Sequence, residues 1–233
     1  MALVRYVLYF IATAFVTWLF TWIEIRSPGS LRLHVIVNPG DLHGTSEFSP
    51  IELLQPVMLV ACGLLYGWVA REFPSQRPVA FLLGGLALIF TIRELDYFLD
   101  KYVADNLWQT LAVVAAALLI VYTYRHRRRF RVAWLRLWPS PGLTLLFAGA
   151  IVQFVYVRFI GHEPLWQAIL GDEYQRIVKL AVEEFFELMA YFLWLAGTLE
   201  YVFQVRAMAA REPQPAAVRR RGGQKQKSVS GRY

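Results

Sequence analysis

The chain has 233 residues, of which 57% are hydrophobic, 15% aromatic and 18% charged, with a formal net charge of +7. Its apolar residues fall in blocks of about twenty, the length a bilayer core requires, which excludes an ordinary soluble domain whose surface helices each keep a polar face. A single cysteine, Cys62, excludes an intramolecular disulfide and a cysteine-built metal cluster, and between Ala61 and Gly63 it reads as a small buried hydrophobe.

In chain order, the apolar blocks predict membrane spans over 3–23, 51–70, 78–98, 106–124, 142–160 and 177–203. The first block is too long for a signal peptide and has no small-residue cleavage site before Glu24 and Arg26, so it is expected to be a retained helix. The loop of about 24–50 carries Pro28-Gly29, Asn38-Pro39-Gly40-Asp41 and His43-Gly44 around the β-branched stretch Val35 to Val37, which predicts a small ordered cap with a strand pair. The loop of about 161–176 has Pro164 in a first turn and Leu165, Trp166, Ile169 and Leu170 on one face, predicting a short interfacial helix. Cytoplasmic loops show no comparable design. The fold class expected is an all-α membrane protein: a six-transmembrane-helix bundle over 1–205, with a structured outer loop between helices 1 and 2 and a short interfacial helix between helices 5 and 6. A basic, disordered tail is expected over 206–233.

Orientation follows from Lys and Arg, which collect on the cytoplasmic side. With the N-terminus inside, 17 of the 24 basic residues fall on the inner side, including Arg71, Arg77, the run from Arg125 to Arg136 and the C-terminal cluster, while Glu72, Glu200 and Glu212 are the inner acids. An odd span count would destroy this separation. The expected location is a bacterial inner (plasma) membrane with both termini cytoplasmic. The expected partners are the lipid bilayer and anionic lipids at the basic face. Arg219, Arg220, Arg221, Lys225 and Lys227 lack aromatic interleaving, so no nucleic acid is expected. Trp18, Trp22, Trp108, Trp134 and Trp138 fall near span ends and read as interface anchors.

Ionisable residues inside spans each cost about 2.5 to 3.5 kcal/mol on insertion scales, so they are retained when paired, solvated or useful. On the third helix, Arg93, Asp96, Tyr97 and Asp100 have the spacing of one face, with Glu94 about 100° round from Arg93. On the sixth, Lys179, Glu183, Glu187 and Tyr191 form a column, with Glu184 and Glu187 three residues apart. Because the third helix runs outward and the sixth inward, both groups fall in the outer half of the bilayer. Glu52 and Gln55 of the second helix, Arg158 of the fifth and His162 beyond it reach the same level, with His34 and His43 in the cap above. The candidate catalytic residues are Glu94, Asp96, Glu183 and Glu187. The candidate ligand-binding residues are Arg93, Tyr97, Arg158 and Tyr191, and the candidate metal ligands are Glu183, Glu184, Glu187 and His162. Arg93, Arg158 and Lys179 are more simply read as ion-pair partners that lock helices, yet six carboxylates outnumber these three bases, and the surplus requires protons, water or a cation.

These residues are expected to form an outer-facing, carboxylate-rich cavity within the membrane that binds a cation, a metal or a small molecule; oxygen ligands with one imidazole suit a divalent metal, and so a membrane-embedded metal-dependent enzyme. Arg93-Glu94-Leu95-Asp96 resembles the Arg-Glu-Gly-x-Glu signature of iron permeases in its first two residues, but the glycine is missing and the acid spacing differs, so none of that family's residues is carried over. A cation- or proton-coupled transporter is disfavoured by the lack of an internal repeat and of polar stations beyond Thr198 and Glu200 in the inner part of the sixth helix. The remaining class is a non-catalytic accessory or scaffold subunit of a membrane complex, or a homo-oligomer. Gly84, Gly85, Ala87 and the alanine-rich run 112–117 would permit its close helix packing.

Overall fold

The computed structural model describes residues 2–28, 30 and 49–211. The expected cap with Val35 to Val37, His34 and His43, and the tail from 212 onward, lie outside the described residues. Everything described is helix, turn or short connection. Its α-helices are α1 (Ala2–Arg26), α2 (Pro50–Glu72), α3 (Arg77–Glu94), α4 (Asp96–Tyr102), α5 (Leu107–Arg125), α6 (Arg127–Leu137), α7 (Pro141–Ile151), α8 (Val157–Ile160), α9 (Glu163–Leu170) and α10 (Arg176–Arg211). Among the described residues, five segments are long and apolar enough to cross a membrane: α1, α2, α5, the continuous stretch Pro141–Ile160, and α10. A sixth is reached if α3 and α4, bent by 57°, count as one.

The central helix is α10, which packs against α2 and α7, while α2 packs on α3 and α3 on α5. Close approach of α7 to α10 depends on glycine. A Cβ at Gly142 would lie 2.7 Å from the Tyr201 backbone nitrogen and 2.8 Å from the Gly197 carbonyl oxygen, and one at Gly197 would lie 2.9 Å from the Gly142 carbonyl oxygen. The expected small-residue packing of α3 is present at Gly85, whose missing Cβ leaves room for Leu119 of α5. Tyr66, Val69, Val79, Leu137, Leu143, Tyr201 and Val205 form one apolar cluster, at the end where α2 finishes and α7 begins. Ile51, Met58, Leu59, Leu188 and Tyr191 form a second, at the end where α2 begins.

Two contacts place α1 against α10. Phe20 and Ile23 pack on the second cluster. Nearer its other end, Arg5 donates to both carboxylate oxygens of Glu200, at 2.6 and 2.8 Å, and Tyr9 donates to the same group at 3.0 Å. The two helices are therefore antiparallel, and the first turns of α1 lie beside the last turns of α10.

Three features differ from expectation. First, the third span is broken at Leu95, so Arg93, Asp96, Tyr97 and Asp100 do not share one helical face. Asp96 Oδ1 accepts the Tyr97 backbone N–H at 2.6 Å, a local bond of the kind that competes with helix continuation, while Arg93 and Glu94 are tied to α10. Second, the segment between the fourth and fifth expected spans is not featureless. Arg127, Arg128, Arg129, Arg131 and Arg136 alternate with Phe130, Ala133, Trp134 and Leu137 to give the amphipathic helix α6, which lays its apolar face on the core. Third, α10 continues past the expected domain boundary at 205 to Arg211.

Candidate functional site

At the bend between α3 and α4, a cavity of about 190 Å³ opens between α2, α3 and α10. Glu52, Gln55, Arg93, Glu94, Asp96, Glu184 and Glu187 supply its polar wall. Local structure explains each position. Glu52 is the N3 residue of a capping box with Ser49, accepting the Ser49 backbone N–H at 3.3 Å, so its carboxylate is drawn to the first turn of α2. Gln55 follows one turn on, 1% exposed, and its Nε2 donates to Glu184 Oε2 at 2.9 Å. On α10, Glu184, Glu187 and Tyr191 lie at i, i+3 and i+7, one face turned toward α2 and α3.

Arg93 bridges two carboxylates. Its Nη2 donates to Glu187 Oε1 at 2.9 Å, and its Nη1 lies 3.6 Å from Glu94 Oε1. Glu187 Oε1 also accepts from Gln153 Nε2 at 3.0 Å, and the Tyr191 hydroxyl donates to Glu94 Oε1 at 2.5 Å. Gln153 lies in a π-helical turn, Val152–Tyr156, between α7 and α8, and is 2% exposed; its Oε1 has no hydrogen-bond partner among the described residues. Single π turns are frequent at functional sites because the extra residue re-aims side chains.

Arg93, Glu94, Asp96, Glu184 and Glu187 are thus gathered as expected, with Tyr191 attached through Glu94. Tyr97, Glu183, Arg158 and His162 do not line the cavity. Glu183 points about 100° away from Glu184, toward α8. It pairs with Lys179 at 3.1 Å and lies so close to Gly161 that a Cβ there would be 2.5 Å from its Oε1. Arg158 is exposed on α8, His162 is exposed at the start of α9, and the Tyr97 hydroxyl accepts from Lys101 at 2.5 Å. The metal set Glu183, Glu184, Glu187 and His162 is corrected accordingly: among the described residues no three His, Cys, Asp or Glu side chains converge as metal ligands. The cause is that Gln55, Arg93 with Gln153, and Lys179 hold Glu184, Glu187 and Glu183 apart. Gln153 was missed by the sequence reading, since a lone glutamine in an apolar run carries no signal of a π turn.

Beneath the cavity, Met58, Leu59, Leu188 and Tyr191 are at most 4% exposed and pack with Phe90 and Trp194, and on the far side of this layer Leu59, Phe90 and Trp194 line a second, largely apolar cavity of about 310 Å³. The chain matches no protein-family profile, no curated protein and no solved structure.

Proposed function

We propose that the chain is a six-span integral membrane protein of a bacterial inner (plasma) membrane, with both termini cytoplasmic, that binds a small ammonium-bearing molecule in its outer-facing carboxylate-lined cavity. The observation that carries this reading is the composition of the cavity wall: five carboxyl groups and one guanidinium around about 190 Å³. An ammonium group brings the compensating charge and three N–H donors, which suit acceptors spread round a wall. A compact divalent ion needs them converging on one point. The layer below is apolar, and in the cavity beneath it Tyr66 and Thr198 supply the hydroxyls of an otherwise apolar lining, so a charged solute finds few polar stations there, which favours a binding or sensing site reached from one side over a carrier that needs a second exit.

The test is thermal unfolding of the detergent-purified chain in methylammonium chloride, compared with sodium chloride at equal ionic strength. A ligand at ten times its Kd stabilises by about 1.4 kcal/mol, roughly 3 to 6 °C for a chain of this size. The expected result is a rise of that order with methylammonium, abolished in Glu184→Gln and retained in Glu163→Gln, which lies on exposed α9. Equal behaviour in the two salts would overturn the assignment.

A further inference from the structure

A separate groove of about 720 Å³ runs between α2, α3 and α5, and the chain does not fill it. Gly63 and Gly67 lie four residues apart on one face of α2 and help to line it, and a Cβ added at either meets no atom within 4 Å. At one end stand Arg71 and Arg77, on the two sides of the α2–α3 turn and both exposed. Arg77 Nε donates to the Ala70 carbonyl at 2.8 Å, which anchors the guanidinium across the turn, while its Nη donors have no acceptor among the described residues.

The dimensions select the occupant. From Gly63 to Arg71 the groove extends about 12 Å along α2, and from Leu88 to Arg77 about 16 Å along α3, at 1.5 Å per residue. That is half of the roughly 30 Å hydrocarbon thickness, the depth of one leaflet. A helix of a second copy would run the full thickness, and a two-fold axis along the membrane normal would bring its own Arg71 and Arg77 to the level of these two. The charges favour an anionic headgroup there, and Arg presents paired N–H donors matched to phosphate oxygens.

We propose that this groove holds an acyl chain of one anionic phospholipid from the leaflet on the arginine side, with its phosphate held by Arg71 and Arg77. The site is independent of the ligand in the carboxylate cavity. Basic pockets between spans are a recognised form of lipid-specific recognition, distinct from general adsorption to a basic surface.

Native mass spectrometry of the delipidated full chain, titrated with dioleoylphosphatidylglycerol or dioleoylphosphatidylcholine, tests it. Each juxtamembrane arginine contributes about 1 kcal/mol toward an anionic lipid, so two predict a preference of roughly thirty-fold for the first phosphatidylglycerol bound. The double variant Arg71→Gln/Arg77→Gln is expected to bring the two lipids to within about threefold, and Gly67→Leu, which fills the groove, to weaken phosphatidylglycerol at least tenfold, on the same scale. Should Gly67→Leu fail to fold, the arginine variant, confined to exposed side chains, decides alone. Equal affinity of the wild type for both lipids overturns the proposal, as does a phosphatidylglycerol preference that survives the arginine variant. So does a dimer that Gly67→Leu dissociates, which would make the groove a helix interface.

Discussion

Replacing Glu187 by glutamine removes the charge on which the α3–α10 connection depends while keeping nearly the same shape. Glu187 is 6% exposed, and its Oε1 accepts from Arg93 at 2.9 Å and from Gln153 at 3.0 Å. In soluble proteins, removing one partner of a buried ion pair costs about 3 to 5 kcal/mol. Polar couplings between membrane helices are smaller, averaging about 0.6 with a maximum near 1.7 kcal/mol, because the separated helices also find partners. Two features lower the cost further: the new amide keeps an acceptor oxygen, and Glu94, 3.6 Å from Arg93, remains to neutralise it. The expected loss is about 0.5 to 1.5 kcal/mol, or roughly 1 to 6 °C in Tm for a chain of this length. Thermal unfolding in detergent measures it, with Glu163→Gln as the exposed control, expected to shift by less than about 1 °C because surface substitutions away from such features stay near neutral. A Glu187→Gln shift no larger than that control would refute the reasoning. So would strict additivity of Arg93→Gln and Glu187→Gln in a double-mutant cycle, since directly bonded groups must couple.

The glycines make opposite predictions at two sites. Gly142→Ala puts a Cβ against the backbone of α10 and is expected to destabilise the fold by the roughly 1 to 3 kcal/mol typical of overpacking, seen as a lower Tm, whereas Gly67→Ala meets open space and, alanine being the better helix former, leaves Tm unchanged or raises it. Glu200→Gln removes a bidentate partner from Arg5. Arg5 is 29% exposed and able to extend toward water, so the cost is expected below about 1 kcal/mol, but the spin-label distance between positions 8 and 207 should broaden as α1 loosens from α10. A distribution as narrow as that of the wild type would show that Phe20 and Ile23 suffice to dock α1. Reporters fused after Arg136 and at the C-terminus are expected to register cytoplasm, and one inserted near Gly40 the outside; any other pattern overturns the proposed orientation.

Hydropathy and charge made the membrane class and the approximate helix positions legible, because a bilayer imposes the same length and apolarity on every span regardless of its neighbours. The gathering of Arg93, Glu94, Glu184 and Glu187 was legible for a related reason: charges inside spans are costly enough to stand out against an apolar background. Helical spacing alone did not separate Glu183 from Glu184 and Glu187. All three fall in one broad sector of α10, and only the placement of α8 beside Gly161 turns one edge of that sector away from the cavity. The break at Leu95 and the π turn carrying Gln153 were not legible, since neither contains the proline or glycine that marks a helix interruption: the break combines the local bond of Asp96 with the ties of Arg93 and Glu94 to α10, and the π turn accompanies the bond from Gln153 to Glu187. Local sequence thus determined which residues are helical and which polar groups must find partners within the membrane; which partner each group takes depends on how neighbouring helices approach, and that is set by packing between residues distant in the chain.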